Sequence, residues 1–184
     1  MVEPDKINVL YTLHMYRTGS DFEKLFDLIK DNKYSYIFLE TVLKDNLFTK
    51  QIIDHLLNIY DKDNYEPIVD CHLNSPLIWA CKNKMYELSL KLIDKFGEKC
   101  KPEQVNKDGN TALIYSCQND INDVDFVALK LIDTFGEKCK PEQVNNDGNT
   151  ALTCACENGM KNVSLKLIDT FGERCKPEHV TKDG

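Results

Sequence analysis

Apolar residues recur along this chain at helical spacing in short blocks, separated by polar clusters rich in Gly, Asn and Asp. Leu88, Leu92, Ile93 and Phe96 line one face of a predicted helix, and Val163, Leu167, Ile168 and Phe171 line the face of another. Gly97, Gly136 and Gly172 come directly after such stripes, where a left-handed cap favours glycine. Ahead of each stripe a shorter helix is predicted to start at Ser75, Thr111 or Thr150, because a hydroxyl there can accept from a free amide of the first turn. Leu77, Leu113 and Leu152 follow, and then Cys81, Cys117 and Cys156, small residues that let the two helices of a pair approach closely. A turn joins each pair, clearest at Asn158-Gly159. Nearer the N-terminus the pattern is looser. Residues 1–33 read as a helical pair broken at Gly19-Ser20, with Phe22, Leu25, Phe26 and Ile29 as the second stripe. Residues 34–71 read as a worn pair whose second helix carries Ile52, Ile53, Leu56, Leu57 and Tyr60 inward.

The blocks are copies of one another. Leu92 to Val105 returns as Leu131 to Val144 and as Leu167 to Val180, with changes at Thr134, Thr170, Arg174 and His179. Asp108-Gly109-Asn110-Thr111-Ala112-Leu113 returns as Asp147 to Leu152, and in weaker form as His72 to Leu77. Unit starts at 72, 108, 147 and 183 give spacings of 36, 39 and 36. A fixed period of this size means stacked units that bury their apolar faces on each other. The expected organisation is an N-terminal helical capping region with a degenerate repeat (1–71), then three repeats (72–107, 108–146, 147–182) and the start of a fourth. The three extra residues of the middle unit fall in the turn around Gln118 to Asp123.

Composition narrows the function classes. A formal charge of −7, with basic residues interleaved among acidic ones, disfavours nucleic acid and anionic membrane surfaces. No apolar run reaches membrane-spanning length, and Met1 to Lys6 lacks the character of a secretion signal, so an intracellular location is expected. The eight cysteines do not suggest disulfides or zinc. Most occupy equivalent places in successive units, about 10 Å apart at helix-packing distance. His14, His55, His72 and His179 keep no ligand spacing to them. Reduced, buried, structural thiols are expected. Asp61 to Glu66 opens like a calcium loop but has Glu66 where glycine is needed and His72 where the closing glutamate belongs. Phosphate-loop, nucleophile-elbow and zinc-protease motifs do not occur. No cofactor, metal or catalytic residue is expected. The Asp-Gly-Asn-Thr phrases read as turns rather than as catalytic carboxylates.

Asp108-Gly109-Asn110 with Thr111 to Cys117, Ser75-Pro76-Leu77-Ile78-Trp79-Ala80-Cys81, and Asn158-Gly159 resemble the ankyrin repeat, whose first helix opens on Thr-Pro-Leu-His-x-Ala after a turn glycine. Ile78, Ile114 and Thr153 replace the usual histidine, and the period exceeds the family's 33, with the excess in the Gly-Glu-Lys-Cys-Lys-Pro-Glu linker. The resemblance implies an all-α ankyrin-repeat solenoid of stacked helix-turn-helix pairs, here with long inter-repeat loops. It also implies a protein partner held by the turn tips and the exposed side of the first helices. By position that surface comprises His72, Asn74, Lys82 and Asn83; then Lys107, Asp108, Asn110, Gln118 and Asn119; then Asn146, Asp147, Asn149, Glu157 and Asn158. Trp79 and Tyr115 sit at a half-exposed position where they serve as anchors or as packing between units.

The Leu-Ile-Asp-Thr-Phe-Gly-Glu-Lys-Cys phrase, in a chain rich in Asn, Asp, Lys and Ile, is similar to the ankyrin proteins of mimivirus-type giant viruses. That implies a location in host cytoplasm, viral factory or virion. A non-catalytic protein-interaction module is the expected function. The alternatives are a self-associating assembly component, using the C-terminal end of the stack, and a ubiquitin-ligase adaptor docking through residues 1–33, although no recognisable F-box is present.

Overall fold

The computed structural model describes residues 50–118 and 125–175, apart from 64 and 66. Expectations for residues 1–33, for the first helix of the worn pair, for the turn centred on Asn119 to Asp123 and for the start of a fourth unit lie outside the described residues. Among the described residues the chain is helical: α1 (Lys50–Ile59), α2 (Pro76–Lys82), α3 (Tyr86–Phe96), α4 (Ala112–Gln118), α5 (Asp125–Phe135), α6 (Ala151–Glu157) and α7 (Lys161–Phe171).

The short helices begin where their caps dictate. Ser75 Oγ accepts from the Ile78 amide at 3.2 Å, and Thr111 Oγ1 from the Ile114 amide at 3.2 Å. Thr150 Oγ1 accepts from the Thr153 amide at 3.1 Å while Thr153 Oγ1 accepts from the Thr150 amide at 2.9 Å, a reciprocal pair. Pro76 at the first turn costs nothing, since its missing N–H would have had no helical partner. At the other end, Asn83 Nδ2 donates to Trp79 O at 2.8 Å.

The helices form two layers, as stacking of pairs requires. α2, α4 and α6 pack side by side; α3, α5 and α7 do the same; within each unit the two helices pack on each other. One continuous apolar core results, running from Ile53 and Leu56 through Leu92, Phe96, Leu131 and Leu167 to Cys175. α1 belongs to it: Ile53 and Leu56 are fully buried, and Tyr65 stacks on Phe96 with ring centroids 4.1 Å apart. The described part of this worn pair, from Lys50 on, therefore still supplies a covering surface for the first clear unit.

Two expectations need correction. The residues that lengthen the period do not extend the projecting turn. They fold as 3-10 turns, Gly97–Cys100, Gly136–Cys139 and Gly172–Cys175, directly against the ends of α3, α5 and α7. The thiols of Cys100 and Cys139 donate back to Leu92 O and Leu131 O at 2.9 and 3.1 Å. The cysteines seal the turn because a small, weakly polar side chain fits the end of the core and still satisfies a helix carbonyl. Nor is the left-handed residue the glycine. Gly97 has φ 54° and ψ −131°, a region closed to residues with a Cβ, and the left-handed residue is Lys101 after the turn, with φ 53° and ψ 66°. A methyl group built on Gly136, at φ 52°, would meet nothing within 4 Å. Gly136→Ala therefore reports backbone strain alone, and urea unfolding should show a loss of about 1–3 kcal/mol.

The third stripe is also only partly inward. Val163, Leu167 and Phe171 are buried, but Ile168 is 43% exposed, although its equivalents Ile93 and Ile132 are 2% exposed. Cys156 is exposed where Cys81 and Cys117 are buried. Both residues face the side on which, in the earlier units, the next pair packs.

Candidate interaction surface

The projecting turns are built by one buried side chain each. Asn106 Oδ1 accepts from the amides of Asp108 and Asn110 at 3.0 and 2.9 Å. Asn145 Oδ1 does the same for Asp147 and Asn149 at 3.1 and 2.8 Å, and Asp70 Oδ1 for His72 and Asn74 at 2.9 and 3.0 Å. A short side-chain oxygen two and four residues upstream thus replaces a strand partner, which is what Asn and Asp do well. The second function of the amide is to join neighbours. Asn106 Nδ2 donates to Asn74 Oδ1 at 2.9 Å, and Asn145 Nδ2 donates to Asn110 Oδ1 at 2.8 Å. One backbone bond per junction runs beside this ladder, from the Lys107 amide to His72 O and from the Asn146 amide to Asp108 O, both 3.0 Å. The turns are so close that a Cβ on Gly109 would lie 2.9 Å from the backbone of Asn145 and Asn146. No strand is present among the described residues.

Asn74 and Asn110 were expected at the surface and are 1% and 4% exposed. Their side chains are consumed by the ladder, so they shape the tips rather than project from them. His72, Lys107, Asp108, Asn146 and Asp147 are exposed at the tips, and Asn149 is half-buried. Along the first helices Lys82, Asn83 and Glu157 are exposed and Gln118 is half-buried. Asn158 is half-buried and committed: its Nδ2 donates to Cys117 O of the preceding unit and to Cys154 O, both at 3.0 Å. Asn119 lies outside the described residues.

The two aromatic candidates separate. Trp79 is half-buried, whereas Tyr115 is 8% exposed and serves the framework. Its hydroxyl accepts from Asn106 Nδ2 at 3.1 Å and donates to Asp108 Oδ2 at 3.3 Å, while the Lys82 ammonium sits 5.5 Å from the ring centroid and 3.5 Å from Asp108 Oδ2. Partial burial pulls the Lys82 ammonium down, but Tyr115 and Asp108 together outweigh it and raise its pKa. Asp108 is thereby oriented at a unit boundary by two side chains. Residue-type reasoning missed Leu73 and Lys84. Leu73 is 42% exposed at the first tip with φ 62°, and Lys84 is exposed with φ 58°. A signal for Leu73 existed: it stands where the later copies have Gly109 and Gly148.

The thiols offer no reactive centre of the buried kind. Burial pushes Cys81, Cys100 and Cys139 up to about 12 and Cys154 to about 11. Burial also raises Cys117 well above the usual thiol range. A raised thiol is almost wholly protonated at neutral pH and so is a poor nucleophile. With iodoacetamide at pH 8, Cys156 should be modified first and the half-buried Cys71 more slowly. Cys81, Cys100, Cys117 and Cys139 should react only as the chain unfolds, which peptide mass spectrometry resolves. Among the described residues no group of three His, Cys, Asp or Glu side chains is placed to hold a metal ion. No described helix is long and apolar enough to cross a membrane.

What the surface offers is a row of rigid turns with varied polar side chains, flanked by one exposed leucine and a half-buried tryptophan. Such a surface can recognise another polypeptide by hydrogen bonds and apolar contact. A family model described as ankyrin repeats, in three copies, matches residues 77–179. No curated protein matches the chain.

Proposed function

The chain belongs to the ankyrin repeat family, a non-catalytic scaffold for protein–protein interaction, and from that premise we propose that its partner lies across the turn tips and the open edge of α2, α4 and α6. The observation that carries this is the division of labour within each turn. Asp70, Asn106 and Asn145 satisfy the turn amides from inside, and Asn74 and Asn110 accept from the asparagine of the next turn. The side chains of His72, Leu73, Lys107, Asp108, Asn146 and Asp147 are left at the surface on a backbone tied by those bonds. A pre-organised surface loses little conformational entropy on binding, which favours affinity over adaptability. Leu73 and Trp79 supply the apolar contacts, and Lys107 and Asp147 supply the charge pattern that sets register.

The resemblance of the Leu131 to Cys139 phrase to giant-virus ankyrin proteins is the support for reading the chain as viral, with a partner among host or viral proteins. An adaptor role through residues 1–33 rests on residues outside those described.

The test is capture of partners by the full chain, with quantitative mass spectrometry, against two variants. Lys107→Glu with Glu157→Lys should deplete the specific partner at least about tenfold, in line with loss of one or two interface contacts of 1–2 kcal/mol each. Lys91→Glu, on the outer helix α3, should leave capture unchanged. Loss with Lys91→Glu and retention with the groove variant would place the partner on the opposite layer.

A further inference from the structure

The unit at residues 72–107 departs from the later ones at two glycine positions. Its tip has Leu73 at φ 62°, where the next two tips have Gly109 at φ 80° and Gly148 at φ 91°. The turn bond is the same in all three. The amides of Leu73, Gly109 and Gly148 donate to Asp70 O, Asn106 O and Asn145 O at 2.9, 3.0 and 3.0 Å. The turn after α2 repeats the exchange. Lys84 has φ 58° where the turn after α6 has Gly159 at φ 66°. The Lys84 amide donates to Cys81 O at 3.1 Å and the Met85 amide to Ala80 O at 2.9 Å. Gly159 and Met160 donate to Cys156 O and Ala155 O in the same way, at 3.1 and 2.8 Å. These paired bonds close a helix on a left-handed residue, for which glycine is the ordinary choice. Positive φ strains a residue with a long side chain. Both turns form on glycine elsewhere in the chain, so neither large side chain is needed to make them.

Both side chains are exposed, Leu73 to 42%. They stand at opposite ends of α2, with the half-buried Trp79 on the helix between them. Among the described residues no carboxylate pairs with Lys84, nor with Lys107 at the neighbouring tip. Lys82, by contrast, sits 3.5 Å from Asp108. In a chain of net charge −7 this edge is locally basic. We infer, on the reading of the turn tips and first helices as the partner surface, that Leu73 and Lys84 select the partner. The segment they select is acidic and carries an apolar side chain. Its apolar residue packs on Leu73 and Trp79, and its carboxylate faces Lys84. Apolar contact supplies the attraction, and charge complementarity sets the direction in which the segment lies. The seven residues of α2 and the turn at each end set the two contacts roughly 15 Å apart. About five extended residues or ten helical ones cover that distance. The second tip cannot hold the same device, because a Cβ on Gly109 would lie 2.9 Å from the backbone of Asn145 and Asn146.

The probe is a phage-displayed library of random peptides long enough to cover that distance in either conformation, selected on the full chain. Enriched peptides should join an apolar residue to Asp or Glu at that spacing. Their affinity should fall at least about tenfold for Leu73→Gly and about threefold or more for Lys84→Gly. The Lys84→Gly difference should shrink at high salt. Leu73→Met, which keeps an apolar side chain of similar size, should stay within about twofold. The urea midpoints of the two glycine variants should hold or rise, since glycine relieves the positive φ. Peptides that bind both glycine variants unchanged, yet are lost with Lys107→Glu and Glu157→Lys, overturn the role of Leu73 and Lys84 and leave the tip surface standing. Peptides lost only with Lys91→Glu overturn the tip surface as well. A lower midpoint in both glycine variants makes the two side chains part of the framework and overturns their role in selection.

Discussion

Phe96→Ala is expected to lower the free energy of unfolding by about 3–5 kcal/mol, the range for removing a large aromatic from a close-packed site. Phe96 is fully buried at the end of α3 and stacks on Tyr65, which is 1% exposed. Tyr65 in turn meets Tyr60 edge-on, with centroids 6.2 Å apart. This aromatic group joins the atypical first unit to the regular stack, so the loss includes an inter-unit contact as well as a cavity. In a stack, stability is a sum of unit and interface terms, and weakening one interface can uncouple its two sides. Urea unfolding followed by circular dichroism should show the lower midpoint. A broader transition, with a smaller m-value, would mark the N-terminal part unfolding separately. Phe135→Ala, in the equivalent place but 7% exposed, should cost less.

The second large effect is at the amide ladder. Asn106→Ala removes the acceptor of two turn amides and the donor to Asn74 Oδ1 and to the Tyr115 hydroxyl. Asn74 and Asn110 are almost fully buried, so their polar groups cannot turn to water instead. Leaving a buried group unsatisfied costs about 1–3 kcal/mol, and with at least two such groups the total should be about 3–4 kcal/mol. Lys107→Ala is the control, one residue away and exposed at the tip, and should change stability by less than about 0.5 kcal/mol. The pair separates the turn's internal frame from its outward side chains, which is the distinction on which the proposed binding surface rests. If Asn106→Ala left stability intact, the tips would not be rigid and pre-organisation would lose its basis.

Much of the fold is legible in the residues because each feature is local. Ser75, Thr111 and Thr150 announce helix starts, and Leu88, Leu92, Ile93 and Phe96 announce a buried stripe, through hydrogen bonds and spacings that span one turn of chain. The period adds that equivalent residues recur, and the all-α stack follows. Direction is harder. Asn74 and Asn110 look like solvated tip residues, since Asn suits an exposed turn and a buried one equally. Identity across copies held the missing clue. Position 110 is Asn in every copy, at 74 and 149, and position 106 is Asn or Asp, at 70 and 145; the exposed positions 72, 108 and 147 vary between His and Asp. A residue type that does not vary while its neighbours do is held by a partner. Ile168 and Cys156 were misplaced for a different reason. Their equivalents at 93 and 81 are buried in a unit that another pair packs on, and no pattern within one unit distinguishes the two cases. The 3-10 turns at Gly97, Gly136 and Gly172 escaped because glycine after a helix reads first as a left-handed cap, and only ψ distinguishes the two conformations.

The central claim is that neighbouring turns are locked to one another through their backbones and buried amides. Native-state hydrogen exchange at the amides of Lys107 and Asn146 tests it most directly. Both residues lie exposed at loop tips, yet their amides donate across unit boundaries to His72 O and Asp108 O at 3.0 Å. A locked stack predicts exchange slowed by about two orders of magnitude or more, because the turn must open away from its neighbour first. Exchange at the rate of an unstructured loop at both positions would contradict it.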